Sequence, residues 1–220
     1  MLVCLSYTYN VCAQGGNHSP QEGPSSPPAI SIAVSHIDES EADAFFADAE
    51  RNERRGDLNG ALTLYGKAAF EYNSDKKMSK YAASLLRMSN VHLSLLHYAE
   101  AEQVVLNVAL KTYSRLGNKA GQMSSYHQLG RIYLGANKLT QSLWFYTQQG
   151  ILAQQLKNNP AYIESILGIA SVKIKKKEYS LALKDVNRAE SLAKSFQISQ
   201  YNSQIRTART TIAEKQSAKK

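Results

Sequence analysis

The sequence predicts an all-α protein built as a stack of helix pairs. Three observations carry that reading. Four stretches, beginning at Ala42, Ala82, Met123 and Ile163, align at spacings of forty or forty-one residues. Within them, the twentieth position is always small (Ala61, Ala101, Ser142, Ala182), and the twenty-fourth is always bulky (Tyr65, Val105, Tyr146, Val186). Between turn signals, the apolar residues recur at the helical period. Self-similarity at this period marks supersecondary units that bury their apolar faces only against one another.

The chain has 220 residues, 43% of them hydrophobic, and a formal charge of +8. Residues 1–13 (MLVCLSYTYNVCA) carry no charge and hold both cysteines, Cys4 and Cys12. Val11 and Ala13 are small where a signal peptidase cuts, so a signal peptide ending before Gln14 is expected, from a start lying within a longer signal. Export to the periplasm or outside the cell follows from that reading; an uncleaved cytoplasmic start is the alternative. Residues 14–37 concentrate Pro, Gly and Ser and read as a flexible linker. No stretch is apolar enough to cross a membrane as a helix.

Order is expected to begin near Asp38, with Ser40 as N-cap and Asp43 in the first turn. The first helix runs from about Ser40 to Arg55 and stops at Gly56-Asp57; its partner runs from Leu58 to about Tyr72. The second pair turns near Leu96-His97 and ends at Leu116-Gly117-Asn118, with Gly117 as the left-handed residue. The third turns at Gly135-Ala136-Asn137 and ends at Asn158-Asn159, after which Pro160 opens the next helix in its first turn. The fourth turns within Lys175–Glu178 and reaches about Phe196. The repeats are thus about 42–81, 82–122, 123–162 and 163–197. Residues 198–220 form a capping helix, with a narrow apolar stripe of Tyr201, Ile205, Ala208 and Ile212, and a basic tail.

The small residue at the twentieth position lets the second helix cross the first closely, and the bulky residue four places on fills the adjoining groove. In these residues, above all Leu129-Gly130, Tyr133, Leu139, Ser142 and Tyr146, the chain resembles the tetratricopeptide repeat family over about residues 40–196. The resemblance implies a right-handed α-solenoid of four antiparallel hairpins. The family's period is 34 residues. The extra residues here are expected between second and first helices, around Asn73–Lys80, Thr112–Gln122 and Gln154–Tyr162, as in lengthened repeats of some signalling scaffolds and bacterial sensory proteins.

No catalytic or cofactor pattern emerges. No phosphate-cradling loop is present, and His92 and His97 stand five apart, the wrong spacing for ligands on one helical face. No metal site and no enzyme is expected. The charge is unevenly spread: residues 22–57 carry −6, 58–156 carry +6 and 157–220 carry +8. The basic run Lys173–Lys177 lies at a helix end, where cations suit the dipole. The basic residues lack interleaved aromatics, which speaks against nucleic acid.

A protein or peptide partner is the expected ligand. By resemblance, the first helix of each pair lines a concave groove. The candidate contacts are Phe46, Glu50 and Glu53 in the first repeat and Leu86, Asn90 and Leu93 in the second. They continue with His127, Arg131 and Leu134 in the third, and Glu164, Leu167 and Ser171 in the fourth. Some members hold a peptide's terminal carboxylate with Lys, Arg and Asn. Asn90 and Arg131 are fragments of such a cluster, but Phe46 and Leu86 stand where it requires Lys or Asn. A non-enzymatic scaffold is the leading expectation. An extracytoplasmic sensory module acting through a longer chain or a separate receptor is the alternative. In the triplet Trp144-Phe145-Tyr146, Tyr146 is expected in the core, with Trp144 or Phe145 between hairpins.

Overall fold

The computed structural model describes residues 40–217; the expected signal peptide, the linker and both cysteines lie outside them. Among the described residues all regular structure is helical. The helices are α1 (Glu41–Arg55), α2 (Leu58–Ser74), α3 (Met78–Ser94), α4 (Tyr98–Gln103), a π-helical segment (Val104–Ala109), α5 (Leu110–Arg115), α6 (Lys119–Gly135), α7 (Leu139–Gln155), α8 (Asn159–Lys175), α9 (Tyr179–Ser195) and α10 (Asn202–Ser217). Helix α4, the π segment and α5 form one continuous rod.

A single turn design joins these rods. Each ends on a residue with positive φ: Gly56, Lys76, Leu96, Gly117, Asn137, Lys157, Lys177 and Gln197. At each, the left-handed residue's N–H reaches the carbonyl three back, and the next N–H reaches the carbonyl five back, as in Asn137→Leu134 (3.2 Å) and Lys138→Tyr133 (2.8 Å). This double bond pattern is the Schellman motif, which satisfies carbonyls the helix end would otherwise orphan. At three of these turns the next residue's side chain caps the following helix. Asp57 accepts from the Gly60 N–H at 2.9 Å, Asn118 from Gly121 at 2.8 Å and Asn158 from Ala161 at 3.0 Å. The expected Ser40 cap forms too, accepting from the Asp43 N–H at 3.3 Å and donating to the Asp43 carboxylate at 2.7 Å.

The inter-repeat residues therefore do not form longer connections, contrary to the expectation above. Helices α2, α3, α6, α7, α8 and α9 are each 17 residues long. Three turn residues plus 17 helical ones set the twenty-residue half-period. The residues around Asn73–Lys80 extend the end of α2 and the start of α3, because the same short turn closes every helix.

The one forty-one-residue interval also has a local cause. The α4–α5 rod spans 98–115, one residue more than each of these six helices, and the addition sits in the π segment. A π turn absorbs an inserted residue by widening one helical turn. Near the start of the π segment, Val105 still matches Tyr65, Tyr146 and Val186. From its last residue onward, Ala109 and Tyr113 occupy the places of Ala68 and Tyr72 one residue late, and all four are buried. The apolar face thus stays turned inward.

The helices pack in chain order, α1 on α2, α2 on α3, and onward to α9 on α10. In addition, α3 packs on α6, α6 on α8 and α8 on α10. The first helices of the pairs thus form a second, direct row of contacts. Small residues permit this closeness: Ala49, Ser89, Gly130 and Ala170 face Ala61, Ala101, Ser142 and Ala182, all buried. Two are tied by hydrogen bonds as well, Ser89 Oγ to the Ala101 carbonyl at 3.1 Å and Ser142 Oγ to the Gly130 carbonyl at 2.7 Å. Phe145 is the buried member of the aromatic triplet beside Tyr146, stacked on Tyr133 with centroids 5.3 Å apart, while Trp144 stays 53% exposed. Helix α10 closes the far end. Tyr201, Ile205 and Ile212 enter the α8–α9 core, and the Tyr201 hydroxyl donates to the Pro160 carbonyl at 2.9 Å.

Candidate functional site

Most polar side chains expected to face a partner are engaged with one another. On α1, Glu53 accepts from the Tyr65 hydroxyl at 2.8 Å and from Asn90 Nδ2 at 2.8 Å. Arg87 of α3 reaches Glu53 at 3.0 Å and Glu50 at 3.3 Å, and its Nε donates to the Tyr65 hydroxyl at 3.1 Å. Asn90 Oδ1 in turn accepts from Arg131 Nη1 at 2.8 Å, and the same nitrogen donates to Gln128 at 3.0 Å. Gln128 passes the chain to Ser89 at 3.3 Å. One row of hydrogen bonds thus runs from α1 through α3 to α6. Burial, its largest cause, together with the Glu53 carboxylate, pushes the Tyr65 phenol well above its ordinary value.

A second polar group joins α6, α7 and α8. His127 Nδ1 lies 3.3 Å from Gln149 Oε1 and 3.3 Å from Glu164 Oε2. Gln149 Nε2 donates to Glu164 at 2.8 Å and to the Ala161 carbonyl at 3.3 Å. Its oxygen is therefore the acceptor, and His127 Nδ1 carries the proton. Burial holds the imidazole below its usual pKa, opposed by Glu164 and reinforced by Arg131. Ser124 shares the small pocket of about 130 Å³ beside this group. It makes no hydrogen bond to the imidazole or to any other described residue, so no nucleophile is paired with the His–Glu couple.

The apolar candidates divide. Phe46 packs edge-on against Tyr65 with centroids 5.3 Å apart, and Leu86 and Leu93 pack on the core around Val105 and Leu129. Leu167 does not belong to a binding face. It is 2% exposed, because α10 covers this part of α8 and draws Leu167 into the core with Ile205 and Ile212. Leu134 and Ser171 do face open space, lining a cleft of about 620 Å³ between α6, α8 and α10.

This cleft has a floor of Leu134, Ile174 and Ala208 and a wall of Ser203, Gln204, Thr207 and Thr211 from α10. The four wall side chains make no hydrogen bond to other described residues. Lys175 is the charged residue of the lining, held by a 2.9 Å bond from Nζ to the Leu134 carbonyl. Its volume lies within the range of small-ligand and peptide pockets, and an apolar floor with a few convergent polar groups is their usual chemistry. The apolar stripe of α10 is evident in the sequence; the hydroxyls at Ser203, Thr207 and Thr211 recur every four residues on another line of the same helix, and that spacing is the signal that marks this wall.

The lysine run has local roles. Lys173 pairs with Asp185 at 2.6 Å and Lys176 with Glu178 at 2.6 Å, while Lys175 bonds a helix-terminal carbonyl. His92 and His97 are brought together by the turn between α3 and α4, with ring centroids 5.9 Å apart. No group of three or more metal-ligating side chains occurs among the described residues. No helix among them is long and apolar enough to cross a membrane.

No family model matches the chain, and no curated protein matches it in sequence. Among solved structures it is similar to BtubC (BKLC) from P. vanneervenii, with a TM-score of 0.64 at 18% identity. The match covers 71% of this chain and 64% of that one, less than two thirds of its length. At this identity the likeness is one of fold.

Proposed function

We propose that the chain is a non-enzymatic helical-repeat scaffold that holds a protein or peptide segment on the side formed by the first helices. In this reading four tetratricopeptide-like hairpins make a right-handed solenoid, which α10 closes. The equal helices, the repeated small–bulky interlock and the direct α3–α6–α8 row support it. The observation that carries the binding role is the cleft beside α10. Its apolar floor is open, and its wall hydroxyls and amide are uncommitted, while polar side chains farther along the groove are bound to one another. A surface with free donors and acceptors over an apolar floor suits a partner's main chain and side chains.

The test is photocrosslinking in the native cell from a benzophenone side chain placed at Ser171. Covalent adducts whose added mass is that of one or a few discrete polypeptides support the scaffold. Their absence, at normal expression and folding, contradicts it.

A further inference from the structure

The open cleft also has features that select among partners, and this step rests on the scaffold reading above. We infer that the α8–α10 cleft seats a short, extended, acidic peptide segment. Three observations converge on that occupant. First, Ser203, Thr207 and Thr211 succeed one another every four residues along α10, a rise of about 6 Å per step. An extended strand repeats the same side of its backbone every two residues, about 6.6 Å. The hydroxyl row therefore meets alternate backbone amides of a strand laid along α10. A helical partner, with its amides turned inward, offers this row nothing.

Second, the floor of Leu134, Ile174 and Ala208 receives the side chains that such a strand directs away from the hydroxyls. Third, the charge is one-sided. Lys175 is in the lining and no carboxylate is. Lys175 also has no carboxylate partner, its Nζ being held by a backbone carbonyl, unlike Lys173 and Lys176 nearby. Residues 157–217 carry eleven basic and five acidic side chains, so the surrounding field attracts an anionic segment as well. The carboxylates at the other end, Glu50 and Glu53, are already paired with Arg87.

The experiment selects random peptides displayed on phage against the full chain, then measures the enriched peptides by fluorescence anisotropy. The expected winners are rich in Asp or Glu with alternating apolar residues. Thr207→Trp, which fills the cleft, weakens them about tenfold or more. Lys175→Glu weakens them about threefold at low salt and shifts renewed selection toward basic sequences. Gln204→Trp, at an exposed site of the same wall, repeats the first result if Thr207→Trp lowers the melting temperature. Basic winners, winners indifferent to both tryptophans, or no winners at all overturn the proposal. Winners indifferent to the cleft variants but lost on Ser124→Trp, at an exposed site farther along α6, leave the scaffold reading standing and remove only this occupant.

Discussion

Arg131 donates to the side-chain oxygen of Asn90 at 2.8 Å, across 41 residues of sequence and from one first helix to the next. Asn90 donates from its amide nitrogen to Glu53, so one side chain bridges three hairpins. Residues that could equally have met a partner instead hold neighbouring hairpins in register. Half-buried, mutually satisfied polar groups of this kind are costly to break, since each lost partner leaves the others undersatisfied.

Tyr146 is packed closely against two glycines of neighbouring helices. A Cβ added at Gly130 would lie 2.8 Å from its ring, and one at Gly168 would lie 2.5 Å from it. Gly168→Ala is expected to destabilise the protein by about 1–3 kcal/mol, through displacement of that ring. In a Tyr146→Val background, which copies the residue of the second and fourth repeats, the same change should cost less than about 1 kcal/mol. Urea unfolding of the four proteins reads the difference directly.

Leu96 holds a φ of 63° and is 67% exposed, so it bears left-handed strain with little packing in return. Replacement by Gly removes the strain but frees the unfolded chain, leaving a net gain of about 0.5–1 kcal/mol. A raised denaturation midpoint with unchanged slope is the expected result.

Mildly acidic pH should weaken the fold through two histidines. Burial, the leading cause in both, holds His127 and His92 below the ordinary value of 6.5. Each is therefore easier to protonate unfolded than folded. Their contribution is fully present above pH 6.5 and is lost as the pH falls from there through the folded values. Unfolding free energy measured between pH 7 and 5 should decline, and His127→Gln should flatten the decline in part, leaving the share due to His92.

Asp43 titrates at the other extreme. Lys80, then the Tyr72 and Ser40 hydroxyls, hold its carboxyl far below the usual carboxylate range. Its stabilising share is present above the unfolded value near 4 and disappears only in stronger acid. Asp43→Asn should lower stability at pH 7 and narrow its difference from the wild type as the pH falls below 4, as read by thermal melting.

Much of this architecture was legible in the residues. Ser40 with Asp43, Gly56, Gly117 and Pro160 marked helix ends because caps and left-handed turns demand those residue types locally. The small residues at Ala61, Ala101, Ser142 and Ala182 marked the crossings. What escaped was whatever depends on distant neighbours. The spacing of forty-one showed that a residue had been added, yet only the backbone places it in the π segment at Val104–Ala109. The equal helix lengths escaped because left-handed turn residues such as Lys76, Leu96 and Lys157 give no compositional signal. Positions of Glu53, Asn90 and Arg131 on the first helices were readable. Their mutual bonds, spanning 37 and 41 residues, were not. Leu167 was misplaced because the covering by α10 is a tertiary event.

The polar row joining α1, α3 and α6 ties the hairpins together, and a double-mutant cycle of Asn90→Ala and Arg131→Ala, read by equilibrium urea unfolding, tests this. Each change should destabilise the protein, with a coupling of about 1 kcal/mol between them. Strictly additive effects, or stability untouched by either change, would contradict it.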